Sequence, residues 1–134
     1  MEPHRPFDTP AAADRCPCGS GNVHGECCGP LLGGGAAPTA VQLMRSRYTA
    51  FVVGDVAYLL ATWHPSTRPD ALELDPDVHW RSLEIIRTER GGPLDRDGVV
   101  EFAARYRVGA ERGVQRETSR FVRTDRWRYV DAVD

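Results

Sequence analysis

The stretch CPCGSGNVHGECCG, residues 16–29, contains all four cysteines of the chain. It is too short and too poor in aliphatic side chains to build a hydrophobic core, so it needs an additional cross-link to hold it folded. Zinc takes four ligands in a tetrahedron and favours thiolates, and the turn between the two cysteine pairs lets them close around one ion. The spacing therefore predicts a structural zinc site with no open position for a substrate, held by Cys16, Cys18, Cys27 and Cys28.

Two alternatives to this ligand set are open in the sequence. Four cysteines allow three disulfide pairings, but the adjacent Cys27 and Cys28 cannot bridge each other without strain, and the reducing cytosol disfavours any bridge. His24 lies inside the loop and could replace one thiolate. Because four thiolates already complete a site, we expect His24 to be a solvated loop residue.

The composition around this stretch is that of one ordinary soluble domain. The 134 residues are 41% hydrophobic and carry a formal net charge of -2. No stretch approaches the roughly 20 consecutive apolar residues of a membrane span, and the N-terminus lacks the apolar core of a secretory signal. We therefore expect a cytoplasmic protein without a membrane partner. Every basic residue is arginine, which excludes a lysine Schiff base and a Walker-type phosphate loop.

Proline and glycine divide the chain into three segments. Residues 1–15 carry three prolines and then three alanines without a periodic apolar face, which predicts a flexible lead-in. Residues 16–35 hold the cysteines and end in a glycine run that is typical of a linker. Residues 36–134 are expected to form the main domain.

A helix is predicted to begin this domain. Thr39 and Gln42 have the spacing of a capping box. Apolar residues then recur at intervals of three and four along one helical face, and the members of this stripe are Val41, Met44, Tyr48, Phe51 and Val52. We expect Arg45 and Arg47 to lie off the stripe. Gly54 is suited to the left-handed conformation that ends a helix.

A second short helix and an antiparallel sheet are predicted after it. Asp55 is a good cap for a helix over residues 56–62, which must end before Pro65. Four stretches rich in β-branched and aromatic residues, separated by glycine turns, predict strands at residues 82–88, 98–108, 114–123 and 127–130. In the second strand one face is apolar, with Val100, Phe102, Ala104, Tyr106 and Val108. Two or three helices packed on about four antiparallel strands make an α+β fold, and a curved sheet would leave a conical pocket.

The densest polar chemistry outside the cysteines lies at the end of the second helix. A histidine titrates near neutral pH, and an arginine can clamp a carboxylate or phosphate at two points. The pocket candidates are Tyr48, Trp63, His64 and Arg68, with Asp55 or Glu101 near the pocket mouth. A structural interpretation is also open, in which Trp63 packs in the core and His64 bonds the last helical carbonyls. No Ser/His/Asp order or pair of carboxylates defines a catalytic set.

The last two long strands are crowded with arginine. Between positions 105 and 128 there are eight arginines and three acidic residues. A basic sheet face with nearby aromatic residues could track a phosphate backbone, and its candidates are Arg105, Arg107, Arg116 and Arg120. Because the net charge of the chain is negative, we favour a solvated face on which Glu101 and Glu117 pair with arginines.

Two strings of residues resemble known families. The cysteine stretch resembles the SEC-C zinc motif, and LMRSRYTAFVVGDVAYLLATWHPSTRP, residues 43–69, resembles the signature of the YchJ-like family. The strings ETSRFVR, residues 117–123, and WRYVD, residues 127–131, are similar to the ending of that family. The resemblance implies that the four cysteines bind zinc and that residues 36–134 form a nuclear-transport-factor-two-like, or ketosteroid-isomerase-like, cone. It implies no reaction, because this fold hosts enzymes, binding modules and assembly domains alike.

Two functions are compatible with these features. The favoured one is a binding or adaptor protein whose zinc motif docks a protein or a ribosome-associated partner. The alternative is a cone domain that binds or converts a small molecule near His64 and Arg68. Nucleic acid is a less favoured partner, and the sequence leaves the oligomeric state open.

Overall fold

The computed structural model describes residues 9–133. A short 3-10 helix, His24–Glu26, leads into helix α1, Cys28–Leu32, followed by α2, Ala40–Val53, and α3, Val56–Ala61. Four strands follow, and their bounds are β1, Val78–Arg90; β2, Asp97–Val108; β3, Glu111–Arg123; and β4, Trp127–Ala132. The strands form one antiparallel sheet in sequential order, so the predicted α+β fold is confirmed.

The ends of α2 and α3 follow local sequence signals. The Thr39 hydroxyl accepts a hydrogen bond from the backbone N–H of Gln42 at 3.2 Å, as the capping box predicts. Gly54 closes α2 with a left-handed φ of 75°. The Asp55 carboxylate caps α3 by accepting from the backbone N–H of Tyr58 at 3.0 Å.

Helix α2 is covered along most of its surface, which corrects one expectation about its faces. It contacts α1, α3 and the strands β1, β2 and β4. Arg47 is only 4% exposed, although it was expected to lie off the buried stripe. It is buried because its guanidinium lies between the end of α3, where it bonds the Leu59 carbonyl and the Thr62 hydroxyl, and the Tyr129 ring of β4. Arg45 is half-buried and donates from Nη1 to the backbone carbonyl of Cys18 at 2.8 Å.

The cysteine segment packs directly against this helix. Cys16, Cys18 and Cys28 are buried in the same hydrophobic cluster as Leu43 and Met44. The glycine run bonds back onto α1, because the backbone N–H groups of residues 33–35 donate to the carbonyls of Gly29, Leu31 and Pro30. Residues 16–35 and α2 therefore share one core. Of the predicted lead-in, residues 1–8 lie outside the described part of the chain, and Arg15 pairs with Val23 in an isolated bridge.

The sheet is curved, and its strands extend beyond the predicted ones. Register irregularities in β1, between Trp80 and Ser82 and between Ile85 and Arg87, bend the strand. The helix-facing side of β2 is buried at Val100, Phe102 and Ala104, whereas Val108 at its far end is 40% exposed. The apolar alternation along β2 is thus covered only where α2 crosses the sheet.

The segment after α3 runs beside the last strand. The backbone N–H of Tyr129 donates to the Thr62 carbonyl at 2.8 Å, and the backbone N–H of His64 donates to the Tyr129 carbonyl at 2.7 Å. Trp63 and Tyr129 consequently form a parallel bridge. This pairing brings the end of α3 to the edge of the sheet. In the described residues no helix is long and apolar enough to cross a membrane.

A glycine contact at the N-terminus of α2 generates a stability prediction. Gly91 has a φ of +83°, its carbonyl accepts from the backbone N–H of Ala40 at 2.9 Å, and a Cβ at Gly91 would lie 2.9 Å from the Ala40 Cβ. Gly109 has a φ of +60° with nothing within 4 Å of an added Cβ, so it is a matched control. We expect Gly109→Ala to cost about 1–2 kcal/mol through backbone strain and Gly91→Ala about 1–3 kcal/mol more through overpacking.

Urea denaturation of the two variants measures this difference. Equal losses in the free energy of unfolding would contradict the close approach of the β1–β2 connection to α2.

Candidate metal centre and cone cavity

The four cysteine thiols converge at one point. All four Sγ atoms lie within 4.8 Å of one another, and the Sγ atoms of Cys18 and Cys27 are 3.6 Å apart. A tetrahedral zinc ion with Zn–S bonds of about 2.3 Å places its sulfur ligands about 3.8 Å apart. The cluster therefore fits a metal ion of that geometry, and the donor set consists of the soft sulfur atoms that such an ion prefers.

Local turns position these cysteines. Gly19, with a φ of 79°, turns the chain after Cys18, and its backbone N–H donates to the Cys16 carbonyl at 3.2 Å. On the other side, the short 3-10 helix ends at Glu26, so Cys27 and Cys28 present adjacent thiols at the start of α1. Close spacing within each pair is what allows so short a segment to surround one ion.

The cysteine thiols differ in pKa. Hydrogen bonding from the Cys28 thiol lowers the pKa of Cys18 to about 4, against the opposing effect of burial and with further help from Ser20. The same contact raises the pKa of Cys28, and burial raises that of Cys27. One thiolate is thus favoured before any metal is bound. Loading of a cation at the cluster would release the remaining protons, because thiolates and not thiols are the ligands.

His24 corrects an expectation about the loop. It is buried, at 7% exposure, rather than solvated, and its Nδ1 lies 3.7 Å from the Cys16 Sγ. The Thr49 hydroxyl of α2 lies 3.9 Å from the same sulfur. All four cysteines are free of disulfides. His24 and Thr49 therefore lie beside the Cys16 sulfur from outside the four-sulfur cluster.

A second candidate site lies between α2 and the concave face of the sheet. It is a cavity of about 230 Å³. Half of the residues in its wall are aromatic, and they are Tyr48, Phe51, Trp63, Trp80, Phe102 and Tyr129. The Trp80 ring makes edge contacts with Tyr48 and Tyr106, with ring centroids 6.3 and 5.5 Å apart. Burial raises the pKa of Tyr48 to about 12, so its hydroxyl stays protonated at neutral pH.

Arg47 is the basic residue in the wall of this cavity. Its Nη1 donates to the Leu59 carbonyl at 2.8 Å and to the Thr62 hydroxyl at 2.7 Å. Its Cζ lies 4.5 Å from the ring centroid of Tyr129 and 5.2 Å from that of Trp63. Burial lowers the pKa of Arg47 to about 10, which leaves the guanidinium charged at neutral pH. In the described part of the chain it forms no ion pair.

Further polar groups line the same space. The Ser119 hydroxyl is buried and has no hydrogen-bond partner among the described residues, and the same holds for the indole N–H of Trp63. Nearer the surface, the Glu117 carboxylate accepts from the Gln115 side-chain amide at 2.6 Å. The cavity therefore has polar groups at its inner end and a carboxylate toward its exposed side.

The predicted pocket residues divide into two groups. Tyr48 and Trp63 line the cavity, whereas His64 and Arg68 do not. His64 Nδ1 lies 2.7 Å from the Ser66 hydroxyl, and the Arg68 guanidinium donates to the Trp63 carbonyl at 2.8 Å, so both side chains are used in closing the turn after α3. This turn directs them away from the cavity because the chain pairs with β4 at Trp63.

Neither acid expected at the pocket mouth lies there. Asp55 serves as the α3 cap, and Glu101 is on the outer face of the sheet. Two residues of the cavity wall, Arg47 and Ser119, were not among the predicted pocket residues. Arg47 had a signal, since it lies three residues after Met44 and four before Phe51 and thus continues the same helical face.

The predicted basic face lies on the outer side of the sheet and is largely paired. Arg105 lies 3.5 Å from Glu84, Arg116 2.8 Å from Glu101, and Arg120 2.6 Å from Asp131. Arg105 and Arg107 also line a surface groove together with Arg81 and Arg112. Glu117, expected to pair with these arginines, faces the cavity instead because the register places it opposite Phe102.

Two family descriptions match this chain. Residues 39–132 match the family described as YchJ, middle NTF2-like domain, and residues 13–30 match the SEC-C motif. The chain is 55% identical over 124 residues to a UPF0225 protein of Chromobacterium violaceum, covering 88% of this chain and 91% of that protein. It is 52% identical over 118 residues to a UPF0225 protein of Streptomyces coelicolor, covering 87% and 92%.

Solved structures of SEC-C motif proteins have the same fold. A SEC-C motif containing protein from Rhodopseudomonas palustris superposes with a TM-score of 0.76 at 32% identity, covering 89% of this chain and 98% of that chain. One from Psychrobacter arcticus has a TM-score of 0.73 at 25% identity, covering 90% and 82%. The resemblance inferred from the sequence strings is confirmed.

The ion pairs of the outer face generate a pH prediction. Hydrogen bonds from Arg116, and then from Arg87, hold the pKa of Glu101 below its ordinary value. Such a group stabilises the folded state above the ordinary glutamate pKa of about 4.3, and this contribution is lost as the pH falls through the lower folded-state pKa. We expect Glu101→Gln to lower the thermal midpoint at pH 7 and to have a progressively smaller effect as the pH falls below about 4.

Thermal unfolding followed by circular dichroism at several pH values checks this. The control is Glu84→Gln, whose carboxylate is more exposed and lies 3.5 Å from Arg105, so its effect should be smaller. A Glu101→Gln effect that is independent of pH would contradict the ionic origin of the contribution.

Proposed function

This chain belongs to the YchJ-like family of SEC-C motif proteins, and we propose that it is a small-molecule-binding protein in which a structural zinc ion fixes one wall of the binding cavity. The single observation that carries this proposal is the aromatic cavity with unpartnered buried polar groups in its wall. Buried polar groups are normally hydrogen-bonded, so a wall that leaves them unpaired is suited to a ligand that supplies the partners.

The size and lining of the cavity support binding of one small molecule. An apolar cavity of about 150 Å³ is enough to hold benzene, and this one has about 230 Å³. Ligand sites are typically lined by apolar and aromatic side chains with a few placed polar groups. The lining described above has this composition.

The zinc ion has a structural role in this proposal. Its four ligands would be Cys16, Cys18, Cys27 and Cys28, and a closed four-thiolate site supplies folding free energy and no open coordination position. Helix α2 provides both Thr49, beside the cysteine cluster, and Arg47, in the cavity wall. Ordering of the cysteine segment would therefore hold the helix that forms the cavity.

Docking of a protein or ribosome-associated partner through the cysteine motif stays a prediction. Cys16, Cys18 and Cys28 are buried against α2 and Cys27 is half-exposed, so a partner would contact the outer turn of the segment. The proposed location is the cytoplasm, where a reducing environment keeps thiols available for metal.

The metal assignment leads to a prediction about chelation. We expect the reduced protein to contain about one zinc per chain, bound with an apparent free energy on the order of 10 kcal/mol. Chelation should make residues 9–35 sensitive to protease and lower the thermal midpoint. Elemental analysis and limited proteolysis, each with and without chelator, measure both effects.

Two variants distinguish a cysteine that binds the zinc ion from a residue that only lies beside such a cysteine. Cys28→Ser should lose the zinc, whereas His24→Ala should keep one zinc per chain with an affinity roughly 10- to 100-fold lower, because His24 contacts a ligand sulfur without joining the cluster. Zinc-free protein with four titratable thiols would contradict the assignment.

The cavity leads to a second prediction. Ala104 lines the cavity and is 3% exposed, so Ala104→Leu should fill part of the space. We expect at least one molecule of a one-ring panel (phenylacetate, phenylacetamide, benzylamine and benzyl alcohol) to shift backbone amide resonances around Trp80 and Phe102, and Ala104→Leu to weaken this binding by about tenfold or more. Nuclear magnetic resonance titration gives both the site and the affinity.

The matched control is Ala110→Leu, which adds the same side chain at an exposed position of the β2–β3 turn. It should bind the panel as the unmodified protein does. If no panel member shifts the cavity resonances, the proposal that this cavity binds a small molecule is wrong.

A further inference from the structure

We propose that the cavity takes a compact apolar monocarboxylate, with the carboxylate at Arg47, Ser119 and the Trp63 indole and the apolar body against the aromatic wall. This inference rests on the proposed function and names its ligand class. It follows from three features of the cavity: an unpaired buried cation, an excess of hydrogen-bond donors, and a carboxylate toward the exposed side.

The buried cation is the first feature. Arg47 is 4% exposed and charged, yet no carboxylate among residues 9–133 lies within ion-pair distance. Both side-chain hydrogen bonds that it makes within this range leave from Nη1. The Nε–H and Nη2 hydrogens therefore have no acceptor there. A buried charge is costly unless it is paired, and a guanidinium matches a carboxylate at two points.

The surrounding donors point to the same chemistry. The Trp63 indole N–H is a donor only, and the Ser119 hydroxyl can donate; both are buried without partners in the described structure. An ionised carboxylate only accepts hydrogen bonds, so its chemistry complements that of each of these donors. An amine or ammonium ligand would add donors beside a buried cation and is disfavoured.

The rest of the wall defines the ligand body. Phe51, Trp80 and Phe102 offer apolar contact, and the volume fits one ring or a branched chain with a short acid arm. Glu117 places its carboxylate toward the exposed side of the cavity. A second carboxylate at that end would be repelled, which limits the ligand to a single acid group.

A charge-matched pair of probes tests the ligand class on the unmodified protein. Phenylacetate and phenylacetamide share a ring and a chain length and differ in charge. We expect phenylacetate to bind about 10- to 100-fold more tightly, the range for hydrogen bonds to a charged group. Benzylamine should bind more weakly than either.

The indole resonances locate the acid group. Binding of phenylacetate should shift the Trp63 indole N–H resonance. The Trp127 indole N–H donates to the Pro38 carbonyl at 3.2 Å, outside the cavity, and its resonance should stay in place. These two signals are read in the same spectrum, so Trp127 is an internal control.

Two variants test the residues. Ser119→Ala removes a hydroxyl that has no partner among residues 9–133, so the protein should remain folded while phenylacetate binding weakens about tenfold. Arg47→Met should abolish the preference for phenylacetate over phenylacetamide. Arg47 also bonds Leu59 and Thr62, so binding to this variant is interpreted only if its thermal unfolding shows that it is folded. If it is not folded, the comparison of phenylacetate with phenylacetamide and the Ser119→Ala variant still test the proposed ligand class.

The outcomes separate the two proposals. Equal affinity for the acid and the amide, or preference for benzylamine, overturns the monocarboxylate class and leaves small-molecule binding standing. A shift of Trp127 without a shift of Trp63 places the acid elsewhere and overturns the inference. Failure of every probe to shift a cavity resonance overturns both.

Discussion

The enclosure of helix α2 is the constraint on which the rest of the structure depends. The cysteine segment covers one side, α3 another, and the curved sheet a third. A helix covered along most of its surface must place its buried polar residues in specific contacts, because such groups are costly when unpaired. Ser46 meets the Tyr58 hydroxyl, Thr49 meets Cys16, and Arg47 meets the end of α3 and the cavity.

This enclosure links the two candidate sites. Thr49 and Arg47 are two residues apart on α2 and therefore lie on different sides of the helix. The cysteine cluster contacts one side and the cavity the other, so a metal ion at the cluster would limit movement of the cavity wall. The link is mechanical and needs no direct contact between metal and ligand. Packing against α2 also buries the cysteine segment, which is too short to form a core of its own.

The outer face of the sheet has a different character. Its arginines are crowded in the sequence, but cross-strand acids pair with Arg105, Arg116 and Arg120. Exposed ion pairs contribute little individually and mostly neutralise the surface. Arg47 differs from these surface arginines. The described structure leaves it without an acidic partner, and it lies in a position screened from water.

Local signals in the sequence determined much of this protein. The sequence alone predicted the cysteine cluster, the caps at Thr39 and Asp55, the turn at Gly54 and the order of helices before strands. Each of these features depends on residues a few positions apart. The alternation along β2 likewise identified its inner face, since successive side chains point to opposite sides.

Tertiary packing decided the rest. His24 is buried because the cysteine segment packs on α2, and Arg47 because α3 and β4 cover its side of that helix. Glu117 faces the cavity and Glu101 the outer side because of the register between β2 and β3. A shift of one residue in that register would exchange the two faces. Burial and register are set by neighbours distant in the chain, and so the composition of the cavity emerged only with the folded structure.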